Sequence, residues 1–231
     1  MSSRSPLLGL ALAAMTVSAS VQAAEPVATR PFSATGFTGV SLRGPDDVVV
    51  RPGPFSITAT GPRAVLERLK IGVSRGTLVV SRDSRPGTRN GKAQVIVTMP
   101  AIASASLPGA GNMVVQRVAG PSFSATLAGA GDLTVQALEA QAVRIELTGA
   151  GDIEIAGRAQ RVSATLNGAG DIGIEKLAAR DLSVVLNGAG DVAARASGIA
   201  TVRANGVGSV KVTGGAKCQV TKGMLATVRC G

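Results

Sequence analysis

The sequence predicts an all-β protein that folds as a parallel β-helix, a solenoid whose coils are each about 20 residues long. A Gly-Ala-Gly-Asp motif recurs through the second half of the chain, and an alternating apolar and polar run precedes and follows it. The copies occupy residues 109–112, 129–132, 149–152, 168–171, 188–191 and, in degenerate form, 206–209. Their first residues are 20, 20, 19, 20 and 18 positions apart, and so regular a spacing is typical of stacked repeats.

The N-terminal residues predict export. Arg4 precedes an apolar run over residues 7–17, and small residues follow up to Ala23 and Ala24, which is the layout of a secretory signal peptide. No later stretch is long and apolar enough to span a bilayer. The predicted organisation is a signal peptide (1–23), a leader (24–36) and one domain (37–231), which comprises divergent N-terminal coils (37–100), the repeats (101–212) and a C-terminal cap (213–231).

Short strands and one helix are predicted before the repeats. Pro62 suits the first turn of a helix, and Val65 and Leu69 give that helix a buried side, so a helix is predicted over residues 63–69. The polar residues 82–92 predict an exposed loop. Alternating or short apolar runs predict strands over residues 40–42, 48–50, 55–60, 71–73, 77–81 and 93–98.

Stacking explains why a repeat of this length becomes a coil. Two short strands cannot bury their apolar sides within one unit, whereas stacked units share an interior column. Glycine at each corner is predicted to supply the positive φ that other residues resist, and the Asp or Asn that follows is predicted to close the turn through its own side chain. The predicted interior column consists of Leu107, Leu127, Leu147, Leu166 and Leu186. A β-sandwich also has many short alternating strands and is the alternative fold.

Composition limits the partners. The formal net charge is +10 at pH 7, which suits anionic polysaccharide, lipid head groups or acidic proteins, and the competing interpretation is a basic exterior that only keeps the protein soluble. The chain has no Trp or Tyr and four Phe, so it lacks the aromatic platforms on which nucleic-acid bases stack. Cys218 and Cys230 are its two cysteines, and in an exported protein such a pair predicts a disulfide.

The motifs resemble those of a bacterial extracytoplasmic family, the putative auto-transporter adhesin, head GIN domain family (DUF2807). The resemblance covers nearly the whole chain after the signal peptide and implies a β-helical fold and export across the inner membrane. It places the protein in the periplasm or at the cell surface of a Gram-negative bacterium. The matching features are the opening at 37–50, the strands at 77–80 and 95–100, the Leu-x-Gly-Ala-Gly-Asp turns, and the closing copy at 206–212.

Coiling would align the residues that follow each Gly-Ala-Gly on one edge of the solenoid. This acidic column is a hypothetical site for Ca²⁺ or a cationic partner, and the competing interpretation is a purely structural turn. Two exposed carboxylates one coil apart, about 4.8 Å, repel by about 1 kcal/mol in water, which a surface tolerates. The candidate calcium ligands are Asp132, Asp152, Asp171 and Asp191. No other metal or cofactor is predicted.

The absence of histidine limits the chemistry that the chain can perform. It excludes Ser-His-Asp triads and histidine-based metal sites. The remaining enzyme class is a polysaccharide lyase or hydrolase, which needs clustered carboxylates or an Arg or Lys base in a groove. The candidate pairs are Asp46 with Asp47 and Glu154 with Glu175.

A non-catalytic, adhesin-like binding module is the favoured function. Its ligand would be an envelope or extracellular polysaccharide, or another protein, and an extended ligand would lie along the polar faces of the strands. The residues that would meet it are Arg144, Ser163, Thr165 and Arg203, and the competing interpretation is that they form an ordinary solvated strand face.

Overall fold

The alternating runs form a β-solenoid of about six turns, in a computed structural model that describes residues 27–83 and 91–231. Strands make up 67% of the structure and helix 2%, so the predicted all-β class is confirmed. The predicted signal peptide over residues 1–23 lies outside the described residues, as does most of the predicted loop over residues 82–92.

The described elements follow one another along the chain with short connections. They are β1 (Val27–Phe32), β2 (Gly39–Leu42), β3 (Asp47–Pro52), β4 (Ser56–Pro62), α1 (Arg63–Leu66), β5 (Leu69–Ser74), β6 (Thr77–Arg82), β7 (Gln94–Met99), β8 (Ser104–Leu107), β9 (Met113–Val115), β10 (Val118–Leu127), β11 (Leu133–Leu147), β12 (Ile153–Leu166), β13 (Ile172–Leu186), β14 (Val192–Ala196), β15 (Ile199–Ala204), β16 (Gly208–Thr213), β17 (Lys217–Lys222) and β18 (Ala226–Cys230).

Parallel, in-register pairing between successive coils builds the solenoid. β11 pairs with β10 on one side and with β12 on the other, and β13 continues the stack. Leu127 is paired with Leu107 and Leu147, and the column runs on through Leu166 to Leu186. All five leucines are fully buried, so the predicted interior column is confirmed. The parallel pairing also decides against the β-sandwich.

The N-terminal end departs from chain order. β2 lies between β6 and β8, and β3 lies between β7 and β9, so the coil made by β6 and β7 stacks outside the coil made by β2 and β3. The antiparallel strands β4 and β5 pair with β7 and β6. The solenoid is therefore closed at this end by chain that turns back on itself, which protects the outermost parallel edge.

Two predictions for this end need correction. The leader predicted over residues 24–36 is wrong for Val27–Phe32, because these residues form β1, which pairs antiparallel with β4. The helix predicted over residues 63–69 ends at Leu66, because Leu69 already belongs to the hairpin of β5 and β6. The hairpin turn itself, Arg75 and Gly76, has positive φ at both residues (50° and 73°).

The corner glycines serve a different purpose from the predicted one. Among the Gly-Ala-Gly copies, only Gly190 and Gly208 have positive φ. What the corners require is the absence of a side chain, because each glycine lies directly against the backbone of the preceding coil. A Cβ on Gly129 would lie 2.7 Å from the carbonyl carbon of Gly109 and closer still to its oxygen. Successive corners therefore stack backbone on backbone.

The repeat also extends beyond the predicted copies at both ends. The Gly109 amide donates to the Leu42 carbonyl, and its Cβ position would meet Gly44, so the turn at residues 44–47 is the first corner of the stack. At the other end β15 pairs with β17 and β16 pairs with β18, both with an offset of 18 residues. The same offset places Met224, Leu225 and Ala226 where the preceding coil has Gly-Val-Gly.

The predicted disulfide between Cys218 and Cys230 is confirmed, with the two Cα atoms 6.5 Å apart. Cys218 pairs with buried Ala200 and Cys230 with buried Val212, so both cysteines occupy inward positions of the last coil. The segment predicted as a cap, residues 213–231, is thus largely one more coil whose interior the disulfide crosses. A bridge closing about a dozen residues stabilises by roughly 3 kcal/mol in the chain-entropy estimate.

Candidate functional site

A ladder of hydrogen bonds runs along the corner edge of the solenoid, through the residue that follows each Gly-Ala-Gly. The Oδ1 atom of Asp132 accepts from the backbone N–H of Asp152 at 3.2 Å, and Asp152 accepts from Asp171 at 2.9 Å. The ladder continues in both directions by the same contact. Its full course is Asp47, Asn112, Asp132, Asp152, Asp171, Asp191 and Ser209.

This ladder corrects the predicted role of the aspartates. Each side chain was expected to close its own turn, whereas it accepts from the equivalent residue one coil further on. The side chain therefore ties neighbouring coils together. Asparagine performs the same role at position 112, where its Oδ1 accepts from Asp132 at 3.1 Å, so the contact requires a carbonyl-type oxygen and no negative charge.

Removing one rung is expected to have a modest effect. The Asp152→Ala variant loses the acceptor for the Asp171 amide, and we expect the free energy of unfolding to fall by about 1 kcal/mol. The Asp152→Asn variant keeps the acceptor and relieves repulsion from the neighbouring carboxylates, so its stability should stay within about 0.5 kcal/mol of the parent. Chemical denaturation measures both, and equal losses in the two variants would contradict the role assigned to the oxygen.

The calcium hypothesis for Asp132, Asp152, Asp171 and Asp191 stays a prediction. One oxygen of each of these carboxylates accepts a backbone N–H. Within residues 27–83 and 91–231, no three Asp, Glu or Cys side chains are grouped so as to hold a metal ion. A melting shift at millimolar Ca²⁺ would support the hypothesis.

A groove of about 730 Å³ crosses the strands preceding the corners. We call it the central groove. Its floor is a column of outward side chains that are paired from coil to coil, mostly hydroxyls, in β10, β11, β12, β13 and β15. The column consists of Ser124, Arg144, Ser163, Ser183 and Thr201.

Three arginines line the central groove. Arg144 and Arg180 are well exposed, with 69% and 72% of their side-chain surface accessible. Each has an acidic neighbour at long range: Arg144 lies 3.7 Å from Glu146, and Arg180 lies 3.9 Å from Asp181. Arg161 makes no ion pair with any described residue. Ion pairs this long and exposed hold their charges weakly, so the guanidinium groups can turn to a ligand.

A second groove of about 600 Å³ adjoins the first, and Arg180 lines both. It lies over the middle of β11, β12 and β13, and it adds Arg158 together with the amides of Gln141 and Gln160. The two grooves give a surface across adjacent coils of the solenoid in which arginines stand over a mainly apolar lining.

The structure brings together only some of the residues predicted to meet a ligand. Arg144 and Ser163 face the central groove, whereas Thr165 and Arg203 lie one column away on the same face and do not line it. Sequence reasoning missed Arg161 and Arg180 as groove residues. Arg161 lies within β12 and Arg180 within β13, each at a point where two consecutive outward positions interrupt the alternation, so the sequence pattern does not indicate which way they face.

The candidate catalytic carboxylates lie apart from the central groove. Asp46 is fully buried and bonded to Arg82, with the Arg82 Nε 3.1 Å from Oδ2, and its neighbour Asp47 begins the ladder. Glu154 and Glu175 are exposed on the strands after the corners, on either side of Gly173. Buried Asp46 is therefore corrected from a catalytic candidate to a structural residue.

A solenoid that presents a long groove of hydroxyl and guanidinium groups belongs to the repeat proteins that offer extended surfaces for binding. In the described part of the chain, no helix is long and apolar enough to cross a membrane. The chain belongs to the family described as putative auto-transporter adhesin, head GIN domain (DUF2807), which matches residues 36–216. The resemblance predicted from the sequence is confirmed.

Solved structures of other bacterial proteins share the fold. A putative adhesin from Bacteroides fragilis superposes with a TM-score of 0.81 at 21% identity, over 90% of this chain and 98% of that one. A putative adhesin from Parabacteroides merdae gives 0.68 at 14% identity, over 89% and 96%. A putative lipid binding protein from Parabacteroides distasonis gives 0.66 at 15% identity, over 88% and 94%. No curated protein sequence matches the chain.

Proposed function

We propose that the protein is an exported, non-catalytic binding module of the bacterial envelope, and that the central groove holds an extended acidic polysaccharide. The observation that carries this proposal is the groove itself, which crosses five strands with three arginines and a column of hydroxyls. The description of the family as adhesins supports a binding role at or near the cell surface.

The chemistry of the groove suits a polymer of acidic sugars. Guanidinium groups form paired, charge-assisted hydrogen bonds with carboxylates, and Ser and Thr hydroxyls can donate to or accept from sugar hydroxyls. Repetition of the coils offers similar donors at regular intervals, which matches a ligand that itself repeats. The net charge of +10 attracts a polyanion at long range.

Export is supported by two features. The first residues have the layout of a signal peptide, and the bridge between Cys218 and Cys230 is of a kind that persists in oxidising compartments. We place the protein in the periplasm or at the surface of a Gram-negative bacterium.

Replacing two groove arginines should weaken binding to an acidic polymer. We expect the Arg144→Gln, Arg161→Gln double variant to bind polygalacturonate at least about tenfold more weakly, because two charge-assisted contacts are lost. The matched control, Arg43→Gln with Lys176→Gln, removes the same charge at exposed sites outside the grooves and should change affinity by less than about twofold. Biolayer interferometry against immobilised polygalacturonate and neutral dextran measures both.

Two results would contradict the proposal. Equal weakening in both double variants would mean that the affinity depends on net charge alone. Unchanged affinity in the groove variant would mean that the ligand binds outside the central groove. The enzyme alternative is tested in the same samples by following reducing ends and unsaturated products. Turnover that is abolished by Glu154→Gln or Glu175→Gln would show that the protein is a carbohydrate-active enzyme and not a non-catalytic binding module.

A further inference from the structure

The last coil leaves apolar side chains uncovered. Val220 on β17 occupies an inward position, since it pairs with fully buried Val202, yet it is 45% exposed because no described strand stacks on it. At the corner that follows, Met224 is 98% exposed and Leu225 is 73% exposed. Leu225 aligns with Val207, itself 54% exposed, in the column that holds alanine in the other Gly-Ala-Gly copies. Large apolar side chains therefore project from the last corners of an edge whose other corners have alanine in this column.

The charged side chains around this end are all of one sign. After Asp191 the chain has no further Asp or Glu, whereas it has six Lys or Arg side chains, and all six are exposed. These residues are Arg195, Arg203, Lys211, Lys217, Lys222 and Arg229. Lys217 and Lys222 are the first and last residues of β17, and Arg229 lies on β18, so the projecting apolar corner belongs to a coil that carries three cations.

We propose that the C-terminal end of the solenoid docks on an anionic phospholipid bilayer, with Met224 and Leu225 inserted at the level of the headgroups. An apolar tip surrounded by Lys and Arg is the arrangement by which proteins bind to the surface of such membranes. The two parts act together: the cations attract the anionic surface, and insertion of the tip removes apolar area from water.

A second copy of the chain fits this end less well. Stacking two C-terminal ends would cover the apolar residues, but it would also bring the cations of two last coils together, Lys217, Lys222 and Arg229 from each, with no acidic side chain on either coil. An anionic bilayer would cover the apolar corner and would also supply negative charges to the surrounding cations. The docking surface is also separate from the central groove, so it adds a point of attachment to the proposed binding function and does not depend on it.

Vesicle flotation with the disulfide-bonded protein tests this proposal. We expect binding to vesicles of phosphatidylcholine and phosphatidylglycerol in equal parts, and little binding to phosphatidylcholine alone. The Met224→Ser, Leu225→Ser variant should partition at least about tenfold less strongly, because two apolar side chains no longer insert. The Lys217→Gln, Arg229→Gln variant should lose about 25-fold, at about fivefold per charge, and higher salt should weaken the parent in the same way.

Matched controls distinguish vesicle binding through the C-terminal end from nonspecific adsorption by other exposed apolar or charged residues. The Val27→Ser, Val73→Ser variant changes exposed apolar residues elsewhere, and the Arg43→Gln, Lys176→Gln variant removes two distant charges. Both should bind vesicles within about twofold of the parent, as should the groove variant Arg144→Gln, Arg161→Gln.

Three outcomes would overturn the proposal. They are failure of the parent to bind the anionic vesicles, equal binding to neutral vesicles, and binding that does not change when Met224 and Leu225 are replaced. Sedimentation velocity adds a fourth: a dimer that dissociates on the Met224→Ser, Leu225→Ser substitution would assign this surface to a second copy.

Discussion

The Gly149→Ala variant is expected to lose about 3–5 kcal/mol of its free energy of unfolding, a large effect for one added methyl group. A Cβ at this corner would lie 2.8 Å from the carbonyl carbon of Ala128 and closer still to the Gly129 oxygen. Both obstacles are backbone atoms, which cannot rotate away as a side chain can. The coils would have to separate, and the hydrogen bond from the Ala150 amide to the Gly129 carbonyl, 2.9 Å long, would lengthen.

Other glycines provide the control for this prediction. Gly120 has open space where its Cβ would be, and a Cβ on Gly173 would make an ordinary contact of 3.6 Å with Glu154. Neither has positive φ. Alanine at these two positions should therefore leave stability within about 1 kcal/mol of the parent. Urea denaturation followed by circular dichroism compares the three variants, and an equal loss in all three would contradict the assigned role of the corner glycine.

The sequence predicts the repeat better than it predicts what each repeated residue does. Alternation along a strand identifies which side chains face inward, so the column from Leu107 to Leu186 could be inferred without coordinates. The role of Gly129 could not, because the atom that excludes a side chain there belongs to another coil 20 residues away. The same reason hides the partner of Asp132, whose oxygen bonds one coil further along the solenoid.

Topology at the N-terminal end was also beyond sequence reasoning. β2 and β3 are inserted between coils that are later in the chain, and no local pattern specifies which distant strand a given strand will join. In Gly44-Pro45-Asp46-Asp47 the sequence indicates a turn, but only the contacts of Gly109 and Asn112 identify it as the first corner of the stack. The central groove was likewise predicted only in part, since Arg161 lies where two consecutive outward positions interrupt the alternation of β12.

The Asp46→Ala variant should be among the least stable single variants, with a loss of about 3–5 kcal/mol. Asp46 is fully buried, and the side chain of its partner Arg82 is only 9% exposed. Without the carboxylate the guanidinium would stay buried with no opposite charge, and its remaining described contact would be to the Gly91 carbonyl at 2.9 Å. The Ala93 amide, which donates to Asp46 Oδ1 at 2.8 Å, would lose its acceptor as well.

A double variant separates the buried charge from the lost packing. Asp46→Leu with Arg82→Met removes both charges and fills the space with apolar side chains, so it should recover about half of the loss and keep a deficit of about 1–3 kcal/mol from the unpaired Ala93 amide. Asp47→Ala, next in sequence but half-exposed, should cost about 1 kcal/mol. If the double variant proved no more stable than Asp46→Ala, the loss of stability would come from altered packing and not from the unpaired charge of Arg82. Removing that charge would then have restored no stability.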